Sequence, residues 1–449
     1  MKSISMLASV AFTFSAFIAG AVPAGSPKPA HQYPAPTCRG EPCDAVIRGS
    51  FAFFDRHLQG LKGNGRSCAD CHMPQDQFQL SPASVEARFK VLEWRRLWDP
   101  RADDPLFRPI DADDFRTNGA QANDFSNLRQ NGLIRVVIPL PANVRLIDPL
   151  TNQPSAETSV DVWRAVPTVN DIKLTGPNNT ISWPRGPNPG GGFQLDARIA
   201  TLQDQARGAL QNHAEVQNAP GQRLLEDLAS FQRLLFSNPR VRNLSDAISA
   251  GVTPLPDPDP KLNAQEALGK VVFQRACAQC HGGPDQSTPI RTPLPVVRYH
   301  DIVSACPRPV DTAVPARYAF APCPQRLQRN ARTYQITLAD GSITRRTSTD
   351  PGRGLLTGVL IPAAPPTDDW GKFDVPGLRG LRETAPYFHN NSADTLEAVV
   401  DHYVEFFKRV QAVAPPGTVP PIATTDGLSF NRALKPEDRE PLIAYLKRL

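Results

Sequence analysis

Apolar residues recur at helical spacing just ahead of the first of two cysteine–histidine motifs in this chain. Ile47, Phe51, Phe54 and Leu58 fall on one side of a helix, whose period is about 3.6 residues. Asp44 stands just before this run, where a short acidic side chain can accept hydrogen bonds from the first helical turn. The pattern predicts an amphipathic helix that Asp44 caps.

A similar pattern precedes the second motif and another closes the chain. Asn263 is placed to cap a helix, with Glu266 three positions on, as in a capping box. The apolar residues along one side of that helix are Ala267, Leu268, Val271 and Val272. In the final stretch, KPEDREPLIAYLKRL, Pro436 suits a first helical turn. The apolar stripe of this last helix consists of Leu442, Leu446 and Leu449. These patterns predict a mainly α fold.

Composition places long irregular connections between these helices. The chain has 449 residues, enough for about two or three domains, and 47 of them are proline. The proline-rich stretch GVTPLPDPDPKLN, 251–263, is the predicted linker between domains. The formal charge of +5 is too small to indicate nucleic-acid binding, although it is compatible with an acidic protein partner.

The N-terminus has the features of an export signal. A short positive start is followed by an apolar run from Met6 to Ala21, with small residues near the predicted cleavage site. Residues 1–24 are therefore a predicted signal peptide; an uncleaved anchor is the alternative, for which the run is short. No later segment is apolar enough to cross a bilayer. We expect a periplasmic protein without stable membrane insertion.

The eight cysteines fall into four local pairs, and only two of the pairs are followed by histidine. Cys38/Cys43 and Cys306/Cys323 lie in proline-rich loops without a histidine. An oxidising compartment favours a short disulfide within each of these two pairs. Free thiols are the alternative.

The other two pairs form the motif Cys-x-x-Cys-His, which occurs as CADCH and as CAQCH. The residues of the two copies are Cys68, Cys71 and His72, and Cys277, Cys280 and His281. In c-type haem attachment, two thioether bonds fix the porphyrin and the adjacent histidine becomes the proximal iron ligand. A shared zinc site does not require a histidine directly after each second cysteine. A thioredoxin-like motif should follow a strand in a βαβ unit, and neither copy does. A helix before the haem motif and a terminal helix packed against it form the plan of a cytochrome c domain.

The composition also restricts the second axial ligand of each iron. The only methionines are Met1, Met6 and Met73, and Met73 directly follows a proximal histidine. No histidine lies between His72 and His213. An ordinary histidine–methionine electron carrier is therefore not expected at either haem. An open iron that binds peroxide or oxygen, or a tyrosine ligand, becomes the expectation.

Beyond these motifs, the chain resembles the bacterial di-haem cytochrome c peroxidase family, which includes MauG. The resemblance runs in blocks over about 47–72, 163–216 and 263–449, with stretches such as RAVPTVND and FDVPGLRGLRETAPYFHNNSADTLEAVVDHY. The stretches about 74–160 and about 285–345 do not resemble the family and are predicted to be insertions. The resemblance implies two cytochrome c-type haem domains with long irregular insertions: a peroxidatic domain, 25–250, and an electron-transfer domain, 251–449.

In this family, hydrogen peroxide is reduced at the N-terminal haem and a small cytochrome c or cupredoxin supplies electrons through the C-terminal haem. The family's catalytic glutamate and glutamine match Glu215 and Gln205. The glutamate takes the proton from the inner oxygen of peroxide and returns it to the leaving oxygen. His213 is left open as a distal ligand, a second base or a solvent-facing residue. The chain lacks the distal histidine ligand that family peroxidases often place after the first motif, which implies a permanently open first haem.

At the second haem, the position of the family's methionine ligand falls on Tyr403. MauG carries a ligating tyrosine there, so the resemblance and the scarcity of methionine both favour Tyr403. The alternative is that Tyr403 packs on the haem edge while His402 or His389 ligates the iron.

The chain departs from the family at two places. Leu195 stands where the family has a tryptophan between the haems, so electron transfer is expected to be direct or to use Phe193 or Trp183. At the family's interdomain calcium site, Ala165 replaces an asparagine. Thr384 and Pro386 match the carbonyl-donating positions, so calcium is a possible third cofactor.

Two other functions are left open. MauG-like or oxygenase-type oxidation of a protein or organic substrate is one, and the insertions could shape a surface for it. Trp94, Trp98 and Trp163 lie near those insertions, although tryptophans are more often core residues. A plain di-haem electron-transfer protein is the other.

Overall fold

The fold, taken from a computed structural model, is described for residues 37–58, 60–112, 125–175, 193–259, 261–278, 281–283, 325–358, 370–371, 373–412 and 434–449, and for the backbone of five short strands at 116–117, 120–121, 299–300, 422–423 and 429–430. Thr37–Leu449 form one unit. The predicted signal peptide, the Cys306/Cys323 pair and Cys280 lie outside the described residues. No helix among the described residues is long and apolar enough to span a membrane.

The described chain is rich in helix, with several small sheets. Its helices are α1 Cys43–Phe54, α2 Pro82–Arg96, α3 Pro109–Ala112, α4 Ser126–Asn131, α5 Ile172–Thr175, α6 Leu202–Asn212, α7 Gln222–Gln232, α8 Pro239–Ser249, α9 Ala264–Ala276, α10 Gln325–Gln328, α11 Gly354–Thr357, α12 Leu396–Ala412 and α13 Arg439–Leu446. Its strands are β1 Thr37–Cys38, β2 Glu41–Pro42, β3 Arg116–Thr117, β4 Ala120–Gln121, β5 Leu133–Pro139, β6 Val144–Leu146, β7 Ser159–Ala165, β8 Tyr299–His300, β9 Arg332–Thr337, β10 Ile343–Ser348, β11 Phe373–Asp374, β12 Ile422–Ala423 and β13 Ser429–Phe430.

In the first half, α1 packs closely against α7 through a glycine. A Cβ atom on Gly49 would lie 1.9 Å from the carbonyl oxygen of Asp227, so only glycine allows this approach of the two backbones. Four positions further along each helix, the rings of Phe53 and Phe231 meet with centroids 5.3 Å apart at an angle of 59°. The contact places α1 and α7 around the segment that carries the first motif.

In the second half, α9 and α13 pack in the same way. A Cβ atom on Gly269 would lie 1.9 Å from the carbonyl oxygen of Pro441. Phe273 and Tyr445, again four positions further on, meet with centroids 5.4 Å apart at an angle of 62°. The helix ahead of each cysteine–histidine motif therefore uses the same glycine-and-aromatic contact.

This close packing corrects the predicted apolar side of α1. Ile47, Phe51 and Phe54 are exposed, and of the predicted residues only Leu58, beyond the end of the helix, is buried. The helix buries Ala45, Gly49 and Phe53 instead, because a small residue such as Gly49 is needed where the two helix backbones approach. The predicted cap is also wrong: the helix begins at Cys43, and Asp44 lies within its first turn.

In α9 the predicted cap is confirmed and the predicted side is wrong in part. The side chain of Asn263 accepts a hydrogen bond from the Glu266 amide, and the Glu266 carboxylate accepts one from the Asn263 amide. Leu268 and Val271 are exposed, whereas Val272 is buried beside Gly269. The predicted stripe of the last helix is confirmed, since Leu442, Leu446 and Leu449 are all buried.

The two stretches without resemblance contribute strands to a common sheet. Its order is β10–β9–β6, with all pairs antiparallel, so β6 from the first stretch pairs with β9 from the second. Beside it, β5 pairs with β7. Apolar residues from these strands share one core cluster with Leu355 and Trp370. These segments therefore pack on each other rather than forming two separate loops.

The N-terminal disulfide prediction is confirmed. Cys38 and Cys43 form a disulfide at the start of α1.

Candidate functional site

The first cysteine–histidine motif opens onto a cavity of about 290 Å³, close to the lower end of small-molecule sites. Cys68, Cys71 and His72 all line it, and so do side chains from α6, α7 and the segment after β7. The apolar residues of its wall include Phe53, Ile134, Val166, Phe193, Ala206, Leu210 and Leu228. The cavity thus brings the predicted attachment residues to one largely apolar space.

His72 is held in the form that a haem iron requires. Its Nδ1 lies 2.9 Å from the carbonyl oxygen of Phe78. Because a carbonyl only accepts, Nδ1 carries the proton and Nε2 keeps its lone pair. Burial lowers the pKa of His72, so the imidazole is neutral. The residues present therefore fit an axial histidine bound to iron through Nε2.

The two cysteines of this motif also fit haem attachment. Cys68 and Cys71 are thiols and not a disulfide. Burial raises the pKa of Cys68 to about 12 and that of Cys71 to about 11, so both thiols are protonated. Within the described ranges, no group of three or more histidine, cysteine and acidic side chains is arranged to hold a metal ion. The two sulfur atoms are therefore separate, and both are available at the cavity.

Asp70, one of the two residues between the cysteines, connects the motif to α2 through hydrogen bonds. Asp70 is buried and accepts hydrogen bonds from the side chains of Arg56 and Arg88 and from the Ser67 amide. Burial acts to raise the pKa of Asp70, but these partners together hold the pKa below its ordinary value. Since Arg88 belongs to α2, a helix from the first predicted insertion helps to position the motif.

The structure separates the two residues predicted to line the peroxide site. Gln205, on α6, lines the cavity together with His213, the residue that ends this helix. Glu215 is exposed and is not among the lining residues. Its carboxylate accepts a hydrogen bond of 2.9 Å from the Asn64 amide, and its φ of 48° is unusual for a side-chain-bearing residue.

A polar network at the cavity edge was not anticipated from the sequence. The Nδ1 atom of His213 lies 2.9 Å from Oδ1 of Asp111, and the other carboxylate oxygen pairs with Arg66. Asp111 and Arg66 are buried. Asp111 belongs to α3, in the stretch that does not resemble the family. Its sequence surroundings, an acidic residue shortly after a proline, do not indicate a functional site.

The segment around β11 connects the cavity to the second half of the molecule. Val375 lines the cavity and also belongs to the core cluster around α9 and α13. The amide of Asp374 donates a hydrogen bond of 2.9 Å to the carbonyl oxygen of Leu195. Leu195 and Phe193 both line the cavity, whereas Trp183 lies outside the described residues.

Around the second motif, the described residues form an apolar cluster. Cys277 and Tyr403 both pack against the core that α9, α12 and α13 share. His402 is buried beside Phe388, with ring centroids 4.7 Å apart, and burial lowers its pKa to about 4. His389 is buried and stacks on Phe373 at 3.8 Å, and burial lowers its pKa to about 4 as well. All three predicted ligand candidates are therefore in place near this cluster.

The residues predicted for calcium take part in local hydrogen bonds. The Thr384 hydroxyl donates to the carbonyl oxygen of Leu381, and the Gln79 side chain donates to the carbonyl oxygen of Ala385 at 2.9 Å. The backbone amide of Ala165 donates to the carbonyl oxygen of His389. The Ala165 contact joins the end of β7 to the segment that carries Thr384 and Pro386.

The three tryptophans singled out in the sequence differ in their surroundings. Trp163, on β7, is buried. Trp94 and Trp98 are exposed at the end of α2, with relative exposures of 62% and 79%, and Val91 and Leu97 beside them are exposed as well. The inner side of the same helix packs in a cluster with Cys71 and Met73.

Comparison with known proteins gives weak structural similarities. No protein-family model and no curated relative matches the chain. A MauG-like protein associated with microbial copper homeostasis is 17% identical, with 90% of this chain and 88% of that chain aligned and a TM-score of 0.42. The di-haem peroxidase BthA from Burkholderia thailandensis is 18% identical, with 90% and 85% aligned and a TM-score of 0.39. Hydrazine synthase of Kuenenia stuttgartiensis is 15% identical, with 96% and 100% aligned and a TM-score of 0.39.

The first two of these neighbours bear the names of the family that the sequence motifs resemble. Similarity of this degree does not assign the fold or the activity of this chain. The site residues are the basis of the function proposed below.

Proposed function

We propose that this protein is a periplasmic di-haem c-type oxidoreductase. In this proposal, hydrogen peroxide is reduced at the first motif and electrons are relayed by a haem at the second. The observation that carries it is the cavity that His72, Cys68 and Cys71 share with Gln205 and His213. An attachment set beside polar side chains is what a haem site for a small polar substrate requires.

The side chains around the cavity match the needs of peroxide reduction. When bound, haem would supply a redox-active iron, which His72 would hold. Each peroxide needs two electrons and two protons to give two water molecules, so the surroundings must also move protons. Gln205 lines the cavity, and its amide would hydrogen-bond a small oxygen ligand there. The resemblance assigns the acid–base role to Glu215. Because its carboxylate is exposed and outside the cavity lining, we propose that it passes protons between solvent and the cavity rather than contacting peroxide.

The repeated helix contact supports a second haem domain of the same plan, with the boundary in the irregular segment between α8 and α9. The contacts of Gly49 and Gly269 and the two aromatic pairs four positions further on have nearly the same geometry. We propose that His281 ligates the second iron and that Tyr403 occupies its other side. A small reduced cytochrome c or cupredoxin is the proposed electron donor, and Thr384 and Pro386 are the proposed calcium-binding positions.

One observation favours a second candidate function, MauG-like oxidation of a protein partner. Trp94 and Trp98 are exposed on the helix whose inner side packs with Cys71. Aromatic residues of this size are enriched in protein interfaces. Peroxide reactivity without oxidation of a reduced cytochrome would favour this second function.

Two measurements test the proposed function: the haem content of the protein and of a double cysteine variant, and the peroxide turnover of two histidine variants. Mass spectrometry of the purified protein should show two covalent haems, and Cys68→Ala combined with Cys71→Ala should remove one. His72→Gln should abolish peroxide-dependent oxidation of a reduced small cytochrome. His57→Gln, at an exposed histidine on the same segment, is the matched control and should leave turnover unchanged. A protein with both haems that fails to react with peroxide would overturn the proposal.

A further inference from the structure

We infer that His213, oriented by Asp111, is a proton-transfer group of the cavity and that Asp111 is its positioning residue. The inference rests on the proposed function and adds a second acid–base group to it. The sequence left His213 open among three roles, and gave no role to Asp111. Three features of the structure carry the inference: the tautomer of His213, the support of Asp111 and the fixed backbone of residues 213–215.

The contact with Asp111 decides which nitrogen of His213 can act as a base. Nδ1 lies 2.9 Å from Oδ1 of Asp111. A carboxylate accepts hydrogen bonds, so Nδ1 carries a proton, and in the neutral imidazole Nε2 keeps its lone pair. Since the His213 side chain lines the cavity, Nε2 is the ring nitrogen left for a ligand there. This is the geometry of a histidine base that a carboxylate orients.

Asp111 is itself held firmly in place. Its side chain is buried and its second oxygen pairs with the buried Arg66. Arg66 also donates to the carbonyl oxygens of Pro105 and Leu106. The positive charge of Arg66 lies against the negative charge of Asp111 within this buried pair.

The helix that carries Asp111 is fixed from its other side. Arg135, on β5, donates to the carbonyl oxygens of Pro109 and Ile110. A short helix held by hydrogen bonds from two arginines can keep one carboxylate at a defined position. This gives α3, in the stretch without family resemblance, a specific role at the cavity.

The backbone next to His213 is fixed by the segment just before the first motif. Asn64 and Arg66 both donate from their side chains to the carbonyl oxygen of His213. The backbone amide of Asn64 donates to the carbonyl oxygen of Ala214 at 2.8 Å. The same Asn64 side chain binds the Glu215 carboxylate. His213 is thereby presented to the cavity, while Glu215 is held on the exposed side.

The proton movement that we assign to His213 is balanced. Nε2 accepts one proton from the peroxide oxygen that will remain and returns it to the oxygen that leaves, as the O–O bond breaks. The leaving oxygen departs as water, and the remaining oxygen becomes water with two electrons from the reduced donor protein and two protons from solvent. His213 is unchanged at the end, so it acts as base and then as acid.

The test compares His213→Gln and Asp111→Asn with Glu215→Gln and two controls. The controls are His57→Gln and Asp99→Asn, both at exposed positions. Two rates are measured on the oxidised protein: the reaction with peroxide, and the binding of cyanide added as hydrogen cyanide. Cyanide binding requires removal of a proton near the iron but no turnover, so it reports the base independently of activity.

For His213→Gln we expect both rates to fall by about 100-fold or more, the usual contribution of a positioned acid–base group. Asp111→Asn should also lower both rates, because an amide can stabilise the tautomer of His213 that carries its proton on Nε2. The controls should match the wild type. Haem absorption and the thermal midpoint establish that each variant is folded, and His213→Gln, at a half-exposed position, keeps the test open if Asp111→Asn does not fold.

Unchanged cyanide and peroxide rates in a folded His213→Gln variant would overturn the inference and leave the proposed function standing. A low-spin first haem that becomes high-spin in His213→Gln would also overturn it, by showing that His213 is an iron ligand. If the wild type binds cyanide but ignores peroxide, the proposed function fails, and the cyanide rate of His213→Gln still decides whether His213 is a base.

Discussion

The two cysteine–histidine motifs are each approached by a helix that crosses a partner through glycine, yet their surroundings differ sharply. Around the first motif, polar and charged side chains reach the cavity, among them Arg66, Gln205 and His213. Around the second, Cys277 and Tyr403 pack against an apolar cluster, and two buried histidines, His389 and His402, lie beside it. The comparison shows one helix contact combined with two different sets of surroundings, and under the proposed function the first would carry proton chemistry and the second electron transfer.

The ionic character of the first site provides the largest expected effect. Arg164 lines the cavity and is buried between the carboxylates of Asp196 and Asp350, at 2.5 and 2.6 Å. Arg164→Met would remove this cation from both buried carboxylates and leave Asp196 paired with Arg198, and it should lower the free energy of unfolding by about 3–5 kcal/mol. Urea denaturation of the folded holoprotein measures this.

Arg439→Met, which removes an exposed ion pair with Asp401, is the control and should change the urea midpoint little. If the two arginine variants were equally stable, the first site would not depend on its buried charges.

Two buried groups, one in each half of the molecule, should respond to pH in opposite directions. Burial raises the pKa of Asp171, at the first cavity, to about 6 from an ordinary value of 3.8. Its protonated form therefore stabilises the fold below about pH 4, and this contribution is lost as the pH rises through 6. Burial lowers the pKa of His402, in the second half, to about 4 from 6.5. Its stabilising contribution is present above about pH 6.5 and is lost as the pH falls through 4.

Asp171→Asn should therefore make stability rise more steeply with pH between about 4 and 6, and His402→Gln should make it rise less steeply. Each change is worth up to about 3 kcal/mol across the window, at about 1.4 kcal/mol per unit of pKa. Urea midpoints at several pH values measure both slopes. If both variants changed the pH dependence of stability in the same direction, the opposite pKa shifts of Asp171 and His402 would be contradicted.

The shared helix contact predicts a matched pair of glycine variants. In Gly49→Ala and Gly269→Ala the new Cβ would overlap a carbonyl oxygen of the partner helix, so both variants should be destabilised by a similar amount, about 1–3 kcal/mol. Gly208→Ala, on α6, has no described atom within 4 Å and should be stabilised by about 0.5–1 kcal/mol. Thermal unfolding measures all three. A large cost at only one of the two crossings would show that the halves are not equivalent.

The smallest effect on stability and the clearest spectral effect are expected at Tyr403. Tyr403→Phe should remove the low-spin signal of the second haem in low-temperature EPR and leave the first haem unchanged. His402→Gln and His389→Gln, measured in parallel, should keep that signal. A low-spin signal that persists in Tyr403→Phe would transfer the ligand role to one of the histidines.

Sequence alone was sufficient where the signal is local. The capping box of Asn263 and the stripe that includes Leu442 and Leu446 involve neighbours along the chain, and the structure confirms them. It failed for the buried side of α1, because periodicity favoured large apolar residues. The partner backbone selects small ones such as Gly49 instead.

The polar edge of the cavity could not be predicted for a different reason. Asp111 and His213 are far apart in the chain, and nothing in the short segment around Asp111 resembles a known motif. Their contact depends on how β5 and α3 pack, which a linear pattern does not encode. The same limit applies to Glu215, whose exposed position depends on the side chain of Asn64.

The sheet that joins β6 to β9 has a consequence for how the protein can be divided. A fragment that ends at the 251–263 linker would lose β9, so β6 would present unpaired backbone groups at an edge where other chains can add. The same fragment would lose Asp350, and Arg164 would keep only Asp196. Such a fragment should therefore aggregate when it is expressed alone, and in the intact chain the first half cannot reach its final structure until the strands of the second half are available.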